Sequence, residues 1–479
     1  MEVDFNQISP VIWEVPKGTK DFMNVPARIF ASEDMLSLVM RDRTLVQLIN
    51  VTSLPGIISY AMVMPDAHEG YGFPIGAVAA TDLSDGVISP GGIGYDINCG
   101  IRLLKSNLSI DDIKDKIDDL AKEIYRYVPS GVGRAGRLQL SNAEMEKVLN
   151  LGCKWAENNL YTDENDLKYI ESGGCLDSAD ASAVSKNAID RGRDQLGTMG
   201  GGNHFVEVNR VQKIYDDEAA HVYGLEENQI VIQIHTGSRG LGHQVATDYI
   251  KQMIALAPQY GITLPDRELS CVPISAPEGQ TYFAAMSAAA NFAWTNRQLI
   301  TWEIRQAWKN VFGDSRGKLS ILYDVAHNIA KVEEHTVNGE KRKVMVHRKG
   351  ATRAFPAGHP EVTPEYRSIG QPVLIPGSMG TSSYVLAGLK GSMEHSFGST
   401  CHGAGRLMSR TAARKQIKGD ELKEELNEKG INIQTGSLKG LAEEAPAAYK
   451  NVESVVDVVE QAGIAKKIVK LKPVAVIKG

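Results

Sequence analysis

The sequence predicts a mixed α/β, or α+β, fold with irregular mixed sheets, arranged as a single compact domain over residues 1–479. Segments with helical spacing alternate with short β-like runs, but without the regular repeat of a doubly wound sheet or a barrel. No internal repeat, low-complexity tract or Pro/Ser-rich linker marks a domain boundary. Hydrophobic residues make up 43% of the chain, which is sufficient for a sizeable core.

Helices are predicted where a capping residue precedes a suitably spaced apolar run. Ser109 and Asp112 have the spacing of a capping box, and the helix that follows should end near Tyr127. Further helices are predicted at residues 141–151, 243–257, 280–312, 406–418, 420–428 and 446–461. Runs rich in β-branched residues predict strands at residues 57–64, 206–211, 230–234, 319–323, 344–346 and 468–477.

Composition favours a soluble, cytoplasmic protein. The first thirty residues include acidic and basic side chains without the apolar run of a signal peptide. No segment approaches the ~18 consecutive apolar residues that a membrane span requires. The five cysteines are widely spaced and odd in number, which argues against a disulfide framework and for a reducing compartment.

The net charge of −6 does not exclude nucleic-acid binding, because the basic residues are clustered. Residues 341–353 contain six Lys or Arg residues and no acid. Residues 395–419 contain five basic residues and no acid, whereas acids concentrate in residues 420–428.

Five potential metal ligands lie in glycine-flanked segments or at predicted strand ends. Asp96 and Cys99 are three residues apart in a segment whose glycines bar a regular helix, and His204, His235 and His327 each lie where a strand meets a loop. Each residue alone is more typical of a structural role. Together the five groups can hold two ions if the thiolate bridges them, and the ligand types leave zinc, manganese and magnesium open.

His402 lies in a glycine-rich segment, residues 398–405, directly before the predicted helix at 406–418. Arg406, Arg410 and Arg414 recur every four residues, so that helix would carry them on one face and offer free N–H groups to a phosphate beside His402. An imidazole nucleophile attacking a phosphate would form a phosphoramidate. A glycine-rich helix start with solvated arginines fits the local sequence equally well.

Two common nucleotide-binding motifs are excluded. The chain contains no G-x-x-x-x-G-K-[ST] sequence, and no strand, G-x-G-x-x-G and helix follow one another in that order. A P-loop NTPase and a Rossmann dinucleotide site are therefore disfavoured.

From Met64 to the last residue, a series of long motifs resembles the RtcB family of RNA-splicing ligases. The motifs are MPDAHEGYG (64–72), SPGGIGYDINCG (89–100), GGNHFVE (201–207), HTGSR (235–239), DVAHN (324–328), HRKGATR (347–353), PGSMG (376–380) and STCHGAGR (399–406). No motif departs from the family pattern, and residues 1–63 carry the least specific resemblance.

The resemblance implies a GTP-dependent RNA ligase with one catalytic domain and two Mn²⁺ ions per chain. The implied metal ligands, with Cys99 bridging, are Asp96, Cys99, His204, His235 and His327. GTP would guanylylate His402, and GMP would then pass to an RNA 3′-phosphate, itself formed by opening a 2′,3′-cyclic phosphate. Attack by a 5′-hydroxyl would join the ends and release GMP. Asp66 is the implied residue for orienting or deprotonating at the RNA end.

The resemblance also implies contacts to GTP and to RNA. The GTP contacts are Asn203, Phe205, Glu207, Ser378, Ser383, Gly403, Ala404, Gly405, Arg406 and Lys478. The RNA phosphate contacts are Arg191, Arg193, Arg239, Lys349, Arg353 and Arg410. Lys478 fits such a role if residues 468–477 form a docked strand rather than a frayed tail.

Two other functions remain compatible with the residues. A dinuclear metal-dependent phosphodiesterase would need the ligands but neither His402 nor GTP. A non-catalytic RNA-binding protein would need only the basic segments. The RNA partner, whether tRNA halves or broken RNA ends, the need for an accessory activator protein and the oligomeric state stay open.

Overall fold

The computed structural model describes residues 3–131, 133–314 and 316–479. Helices and strands are mixed throughout, so the predicted fold class is confirmed. In the described residues the α-helices are α1 (Glu33–Val39), α2 (Thr44–Val51), α3 (Ile110–Ile113), α4 (Ile117–Tyr127), α5 (Asn142–Leu151), α6 (Cys153–Asn158), α7 (Lys186–Gly192), α8 (Asp217–Tyr223), α9 (Arg239–Leu256), α10 (Pro277–Phe312), α11 (Lys390–His395), α12 (Arg410–Gln416), α13 (Gly419–Glu428), α14 (Leu438–Glu443) and α15 (Val452–Gln461).

The strands belong to two large sheets and two small two-stranded ones. They are β1 (Asn6–Ser9), β2 (Ile12–Val15), β3 (Ala27–Phe30), β4 (Ala61–His68), β5 (Ile75–Asp82), β6 (Val87–Ile88), β7 (Gly100–Ser109), β8 (Phe205–Ile214), β9 (Gln229–Thr236), β10 (Val272–Pro273), β11 (Ser320–Ala326), β12 (Asn328–Val337), β13 (Glu340–Lys349), β14 (Ala351–Arg353), β15 (Pro372–Ile375), β16 (Ser383–Gly388), β17 (Ser399–Cys401), β18 (Asn432–Thr435) and β19 (Ala465–Lys478).

The first large sheet has seven strands in the order β1-β2-β3-β4-β5-β13-β12, and the second has the order β11-β7-β9-β8-β19-β16-β15, with β18 parallel to β19. The small sheets pair β10 with β6 and β14 with β17. A single residue, His327, separates β11 of the second sheet from β12 of the first. The two large sheets therefore meet at His327.

Antiparallel pairing gathers several strand ends at one edge of the second sheet. From β11 through β7, β9 and β8 to β19, every neighbouring pair is antiparallel. The end of one strand thus lies beside the start of the next. The register pairs His235 with both Ile101 and Phe205, and Phe205 with Lys478. Residues far apart in sequence consequently share this edge.

A long buried helix packs against that edge of the second sheet. Helix α10 has 36 residues, and its Arg297 is wholly buried. The Arg297 guanidinium pairs with Asp324 at 2.8 Å and donates to the backbone oxygens of Asn98 at 2.8 Å and Thr236 at 2.9 Å. A buried cation is stable only when it is paired in this way, so Arg297 fixes the segments on either side of it.

Three predicted helices need correction. The helix predicted to follow Ser109 and end near Tyr127 is α3 and α4, separated by a 3₁₀ turn at Lys114–Lys116. Helix α12 begins at Arg410 rather than at residue 406, because Ser409 caps it by accepting the amide N–H of Ala412 at 3.2 Å. Arg406 instead makes a β-bridge with Tyr449. The segment predicted at 446–461 is a short 3₁₀ turn followed by α15, which begins at Val452.

Residues before the family motifs also have defined structure. Strands β1, β2 and β3 extend the first large sheet, and α1 and α2 contact β4. Across the part of the chain that the structure describes, no helix combines the length and apolarity needed to cross a bilayer. All five cysteines lie in the described residues and are free.

Candidate active site and metal centre

The five predicted ligand residues converge at the shared edge of the second sheet. Cys99 directly precedes β7, His204 directly precedes β8, His235 lies near the end of β9, and His327 follows β11. Asp96 lies in the loop before β7. The antiparallel order of the strands therefore explains how residues more than two hundred positions apart come together.

These side chains form two groups that share Cys99. One group is Cys99, His235 and His327, and the other is Asp96, Cys99 and His204, with the ligand atoms of each group within 4.8 Å of one another. The Cys99 Sγ lies 3.3 Å from His235 Nε2 and 3.4 Å from His204 Nε2. His204 Nε2 lies 2.9 Å from Asp96 Oδ2.

The protonation of these groups suits metal binding. Burial, followed by neighbouring histidines, lowers the pKa of His235 and of His327 well below the ordinary value, so both rings are neutral. Their Nε2 atoms nevertheless face each other at 3.4 Å. Neither ring's Nδ1 atom has a hydrogen-bond partner among the described residues, and a cation between the two Nε2 atoms would accept a lone pair from each. The donor set of imidazoles, thiol and carboxylate therefore fits divalent transition metals.

Asp96 and Cys99 differ in their protonation. Burial raises the pKa of Asp96, but His204, Cys99 and Arg239 outweigh it and bring the pKa to about 2. Burial and the Asp96 charge raise the pKa of the Cys99 thiol well above its ordinary value. A bound cation would reverse that balance, because metal coordination deprotonates a thiol outright.

His402 lies beside His327, a member of the Cys99, His235 and His327 group, and is held by Asp66. The ring centroids of His402 and His327 are 4.9 Å apart. The Asp66 Oδ2 lies 2.6 Å from His402 Nδ1 and accepts the amide N–H groups of His402 at 2.9 Å and Gly403 at 3.2 Å. Burial raises the pKa of Asp66, but His402 and Lys450 more than offset it, so the pKa lies below its ordinary value.

Asp66 is fully buried in β4 and does not line the cavity described below, so it faces His402 rather than open space. The segment after His402 packs directly on this strand. Gly405 has φ of 75°, and a Cβ there would lie 2.1 Å from the Asp66 backbone oxygen. A side chain at position 405 would therefore displace Asp66 from His402.

A cavity of about 380 Å³ connects His402 and four of the five predicted metal ligands, Asp96, Cys99, His235 and His327, to two further groups of side chains. One group, the Glu207 end, consists of Phe205, Glu207, Tyr449 and Lys478. The other contains Tyr71 and Tyr95. Nine of the ten predicted GTP contacts line the cavity: Asn203, Phe205, Glu207, Ser378, Gly403, Ala404, Gly405, Arg406 and Lys478. Ser383 does not line it, and its hydroxyl accepts the Gly377 N–H at 3.1 Å.

The Glu207 end presents an unsatisfied carboxyl. Glu207 is 2% exposed, and its Oε1 has no hydrogen-bond partner among the described residues. Burial raises its pKa to about 8, against smaller opposing effects of Asn209 and Lys478. Lys478 is also buried, at the end of the docked strand β19, and its ammonium lies 5.9 Å from the Phe205 ring centroid. The predicted docking of the C-terminal strand is confirmed.

The six predicted RNA phosphate contacts fall into three classes. Lys349 and Arg410 line the cavity, and burial lowers the pKa of Lys349 to about 7. Arg239 is near Asp96 and donates to Thr198 Oγ1 at 3.1 Å. The remaining three do not line the cavity: Arg191, Arg193 and Arg353.

Arg353 departs most from its predicted role. Its guanidinium is buried, pairs with Glu361 at 2.6 Å and lies 3.8 Å from Glu171. Such a group supports the core and leaves no free donor face for RNA. Arg193 is held by Asp190 at 2.6 Å, and Arg191 is exposed and donates to Gln244 at 2.7 Å.

Sequence reasoning missed the buried carboxylate of Glu444. Its oxygens accept from Arg406 at 2.9 Å and Arg410 at 3.0 Å, and Tyr449 donates to it as well. Glu444 thus binds both arginines, although only Arg410 lies in a helix. Glu444 follows another glutamate in an acidic stretch, so no local signal distinguished it.

Comparison with known proteins agrees with the geometry. The family model described as tRNA-splicing ligase RtcB matches residues 47–479. The tRNA-splicing ligase RtcB of Thermococcus kodakarensis is 54% identical over 479 residues, covering 100% of this chain and 99% of that protein. Those of Archaeoglobus fulgidus and Nanoarchaeum equitans are each 51% identical, with 100% of both chains covered. The chain therefore belongs to the RtcB family of tRNA-splicing ligases and is an enzyme of the ligase class.

Proposed function

We propose that this enzyme joins an RNA 2′,3′-cyclic phosphate or 3′-phosphate end to a 5′-hydroxyl end, in tRNA splicing or RNA repair. The reaction uses GTP, a guanylylated His402 and two Mn²⁺ ions. The observation that carries the proposal is the 2.6 Å contact of buried Asp66 with Nδ1 of His402, a residue that lines the same cavity as Asp96, Cys99, His235 and His327. The five free cysteines are in keeping with the predicted cytoplasmic location.

Asp66 prepares His402 for nucleophilic attack. A carboxylate beside Nδ1 favours the tautomer that carries its proton on Nδ1, which leaves the Nε2 lone pair free. The Asp66 charge also stabilises the positive ring that forms when Nε2 bonds to phosphorus. In this step the Nε2–P bond to the α-phosphorus of GTP forms, the bond from that phosphorus to the β-phosphate oxygen breaks, and pyrophosphate leaves.

The metal ions would be held by Asp96, Cys99 and His204 on one side and by Cys99, His235 and His327 on the other. When bound, they supply positive charge that binds phosphate oxygens and lowers the pKa of an attacking hydroxyl. Arg410 is half exposed at the cavity, and its other donors can contact the triphosphate while Glu444 holds its Nε.

The Glu207 end fits a guanine base. Guanine presents two neighbouring donors, N1–H and the N2 amino group, and a carboxylate can accept both. Glu207 supplies that carboxylate, and Phe205 and Tyr449 supply apolar ring faces beside it. An adenine base has no such pair of donors, so the same site discriminates against ATP.

Each of the three RNA steps breaks one bond to phosphorus as it forms another. Water first opens a cyclic phosphate to a 3′-phosphate. An oxygen of that phosphate attacks the phosphorus on His402, the P–N bond breaks, and an RNA-3′-pp-5′-G end forms. The 5′-hydroxyl then attacks the RNA phosphorus, its proton is lost to solvent, and GMP leaves. An accessory activator protein would act on the rate of these steps rather than on their chemistry.

Incubation with GTP labelled at the α-phosphate, together with Mn²⁺, tests the proposal. We expect an acid-labile protein–GMP adduct in the native protein and none in His402→Ala. His395→Ala, which changes a histidine outside the cavity, is the matched control and should be labelled normally. Absence of the adduct from the native protein would overturn the proposed chemistry and favour a dinuclear phosphodiesterase. Survival of the adduct in His402→Ala would overturn the assignment of His402 as the guanylylated residue.

A further inference from the structure

Three aromatic rings form a continuous group at the opening of the cavity. Tyr71 lies in the loop before β5, Tyr95 in the loop before β7, and His243 in the first turns of α9. The Tyr95 and His243 rings are stacked, with centroids 4.9 Å apart and an interplanar angle of 26°. The Tyr71 ring meets Tyr95 edge-on at 5.5 Å. We call these three residues the aromatic group.

The aromatic group adjoins the metal ligands but lies outside the protein core. Tyr95 directly precedes Asp96, and Tyr71 and Tyr95 both line the cavity. Both tyrosines are half-buried and His243 is exposed. Rings that serve only to pack a core are normally buried, whereas half-exposed rings beside a phosphate site are typical of proteins that bind single-stranded nucleic acid.

Charges of both signs lie near the group: the Glu268 carboxylate is near Tyr71 and Tyr95, and the Arg191 cation is near His243. Burial and the nearby Arg191 cation lower the pKa of His243, so its ring is neutral and can stack on a base. Arg191 is exposed and one of its nitrogens is free to contact a phosphate while another donates to Gln244. Stacking on rings and contact with flanking cations are the two elements of sequence-tolerant binding to single strands.

We propose that the aromatic group stacks the terminal base of the RNA strand that carries the 5′-hydroxyl. The inference rests on the proposed function. In the joining step the hydroxyl must approach phosphorus on the side away from the departing GMP. The aromatic group shares no residue with the Glu207 end, to which we assign GMP, and it comes from different loops. It is therefore available to the incoming strand.

The test isolates the joining step. RNA already carrying the 3′-pp-5′-G end is supplied, and the KM for a 5′-hydroxyl strand is measured in the native protein, Tyr95→Leu and His243→Ala. Loss of one stacked base should raise this KM about tenfold, within the range expected for base–aromatic stacking. Tyr215→Leu, an exposed tyrosine outside the cavity, is the matched control and should leave the KM unchanged.

An RNA strand whose first nucleotide lacks a base separates stacking from structural effects. For the native protein, the KM for this abasic strand should be about tenfold higher than the KM for the intact strand. The KM values of the two variants for the abasic strand should lie within about twofold of the native value. Equal KM values for native protein and variants with the intact strand would overturn the inference, as would a variant effect that persists with the abasic strand. If KM rose only when the terminal base was removed from the strand that carries the 3′-pp-5′-G end, the assignment of the aromatic group to the 5′-hydroxyl strand would be overturned.

Failure of the proposed function gives a different result. If native protein neither labels with GTP nor joins the pre-activated ends, the ligase chemistry fails. If native protein joins them but shows no preference for the intact 5′-hydroxyl strand over the abasic one, only the stacking inference fails. Because the comparison of intact and abasic 5′-hydroxyl strands uses native protein alone, it tests the stacking inference even if a variant does not fold.

Discussion

Substitution of Glu207 by glutamine tests how the site selects its base. The native carboxyl is 2% exposed, and burial raises its pKa to about 8. Guanine binds to the ionised carboxylate of Glu207, because only the ionised form can accept hydrogen bonds from both N1–H and the N2 amino group. Below pH 8 binding therefore has to release a proton. Each pH unit below 8 costs about 1.4 kcal/mol, or about tenfold in affinity.

The assay measures guanosine affinity by calorimetry between pH 6 and pH 8, since guanosine has no phosphate or base group that titrates there. Native protein should bind guanosine about tenfold more tightly at pH 7 than at pH 6. Glu207→Gln should bind weakly at every pH and lose this dependence. Inosine lacks the N2 amino group, so the difference in affinity between native protein and Glu207→Gln should be smaller for inosine than for guanosine.

Glu303→Gln provides the matched control. Glu303 is also a buried carboxyl whose pKa burial raises well above its ordinary value, but it lies on α10 and does not line the cavity. The Glu303→Gln protein should keep the native pH dependence of guanosine binding. A flat pH profile in native protein, or a Glu207→Gln protein that keeps the native slope, would refute this account of base selection.

Four further outcomes are expected. Asp66→Asn should slow guanylylation of His402 on the order of 10²- to 10⁴-fold, measured with labelled GTP, because the ring loses its favoured tautomer. Cys99→Ser should bind fewer than two Mn²⁺ ions by elemental analysis, since both ligand groups lose a shared atom. Lys478→Met should raise the KM for GTP without lowering Tm. In Glu303→Gln, the free energy of unfolding should rise relative to native protein as pH increases above about 4.5, because the raised pKa destabilises the native fold there.

Controls keep these results specific. Cys271→Ser changes a buried free cysteine outside the cavity, so it should leave the Mn²⁺ content at two. Lys470→Met changes a lysine of the same strand, β19, outside the cavity and should leave the KM for GTP unchanged. Two ions retained in Cys99→Ser would contradict the shared ligand. Native rates in Asp66→Asn, or an unaltered KM in Lys478→Met, would remove those residues from the proposed roles.

The sequence predicted which side chains the fold brings together, Asp96, Cys99, His204, His235 and His327, better than it predicted their surroundings. His204, His235 and His327 follow apolar runs or glycine segments, and antiparallel pairing of those runs is sufficient to bring the three rings together. Asp96 and Cys99 were singled out by their three-residue spacing in a glycine-rich segment, and the family resemblance added manganese as the expected metal. The single-domain organisation stays a prediction.

Long-range contacts account for what the sequence did not predict. The spacing of Arg406 and Arg410 suggested one helix, but Ser409 caps α12 after Arg406, and buried Glu444 joins the two arginines from another segment. Local periodicity contains no information about such a partner. The stacking of Tyr95 on His243 likewise depends on two loops meeting, which no spacing within either loop reveals.

The central claim is that one cavity holds the two metal ions and a nucleotide bound covalently to His402. Crystallography of the protein with GTP and Mn²⁺, using manganese anomalous scattering, tests that claim most directly. We expect two anomalous peaks that both contact Cys99 Sγ, and continuous density from His402 Nε2 to a GMP whose base meets Glu207. One peak alone, peaks away from Cys99, or a GMP attached to another residue would contradict the account.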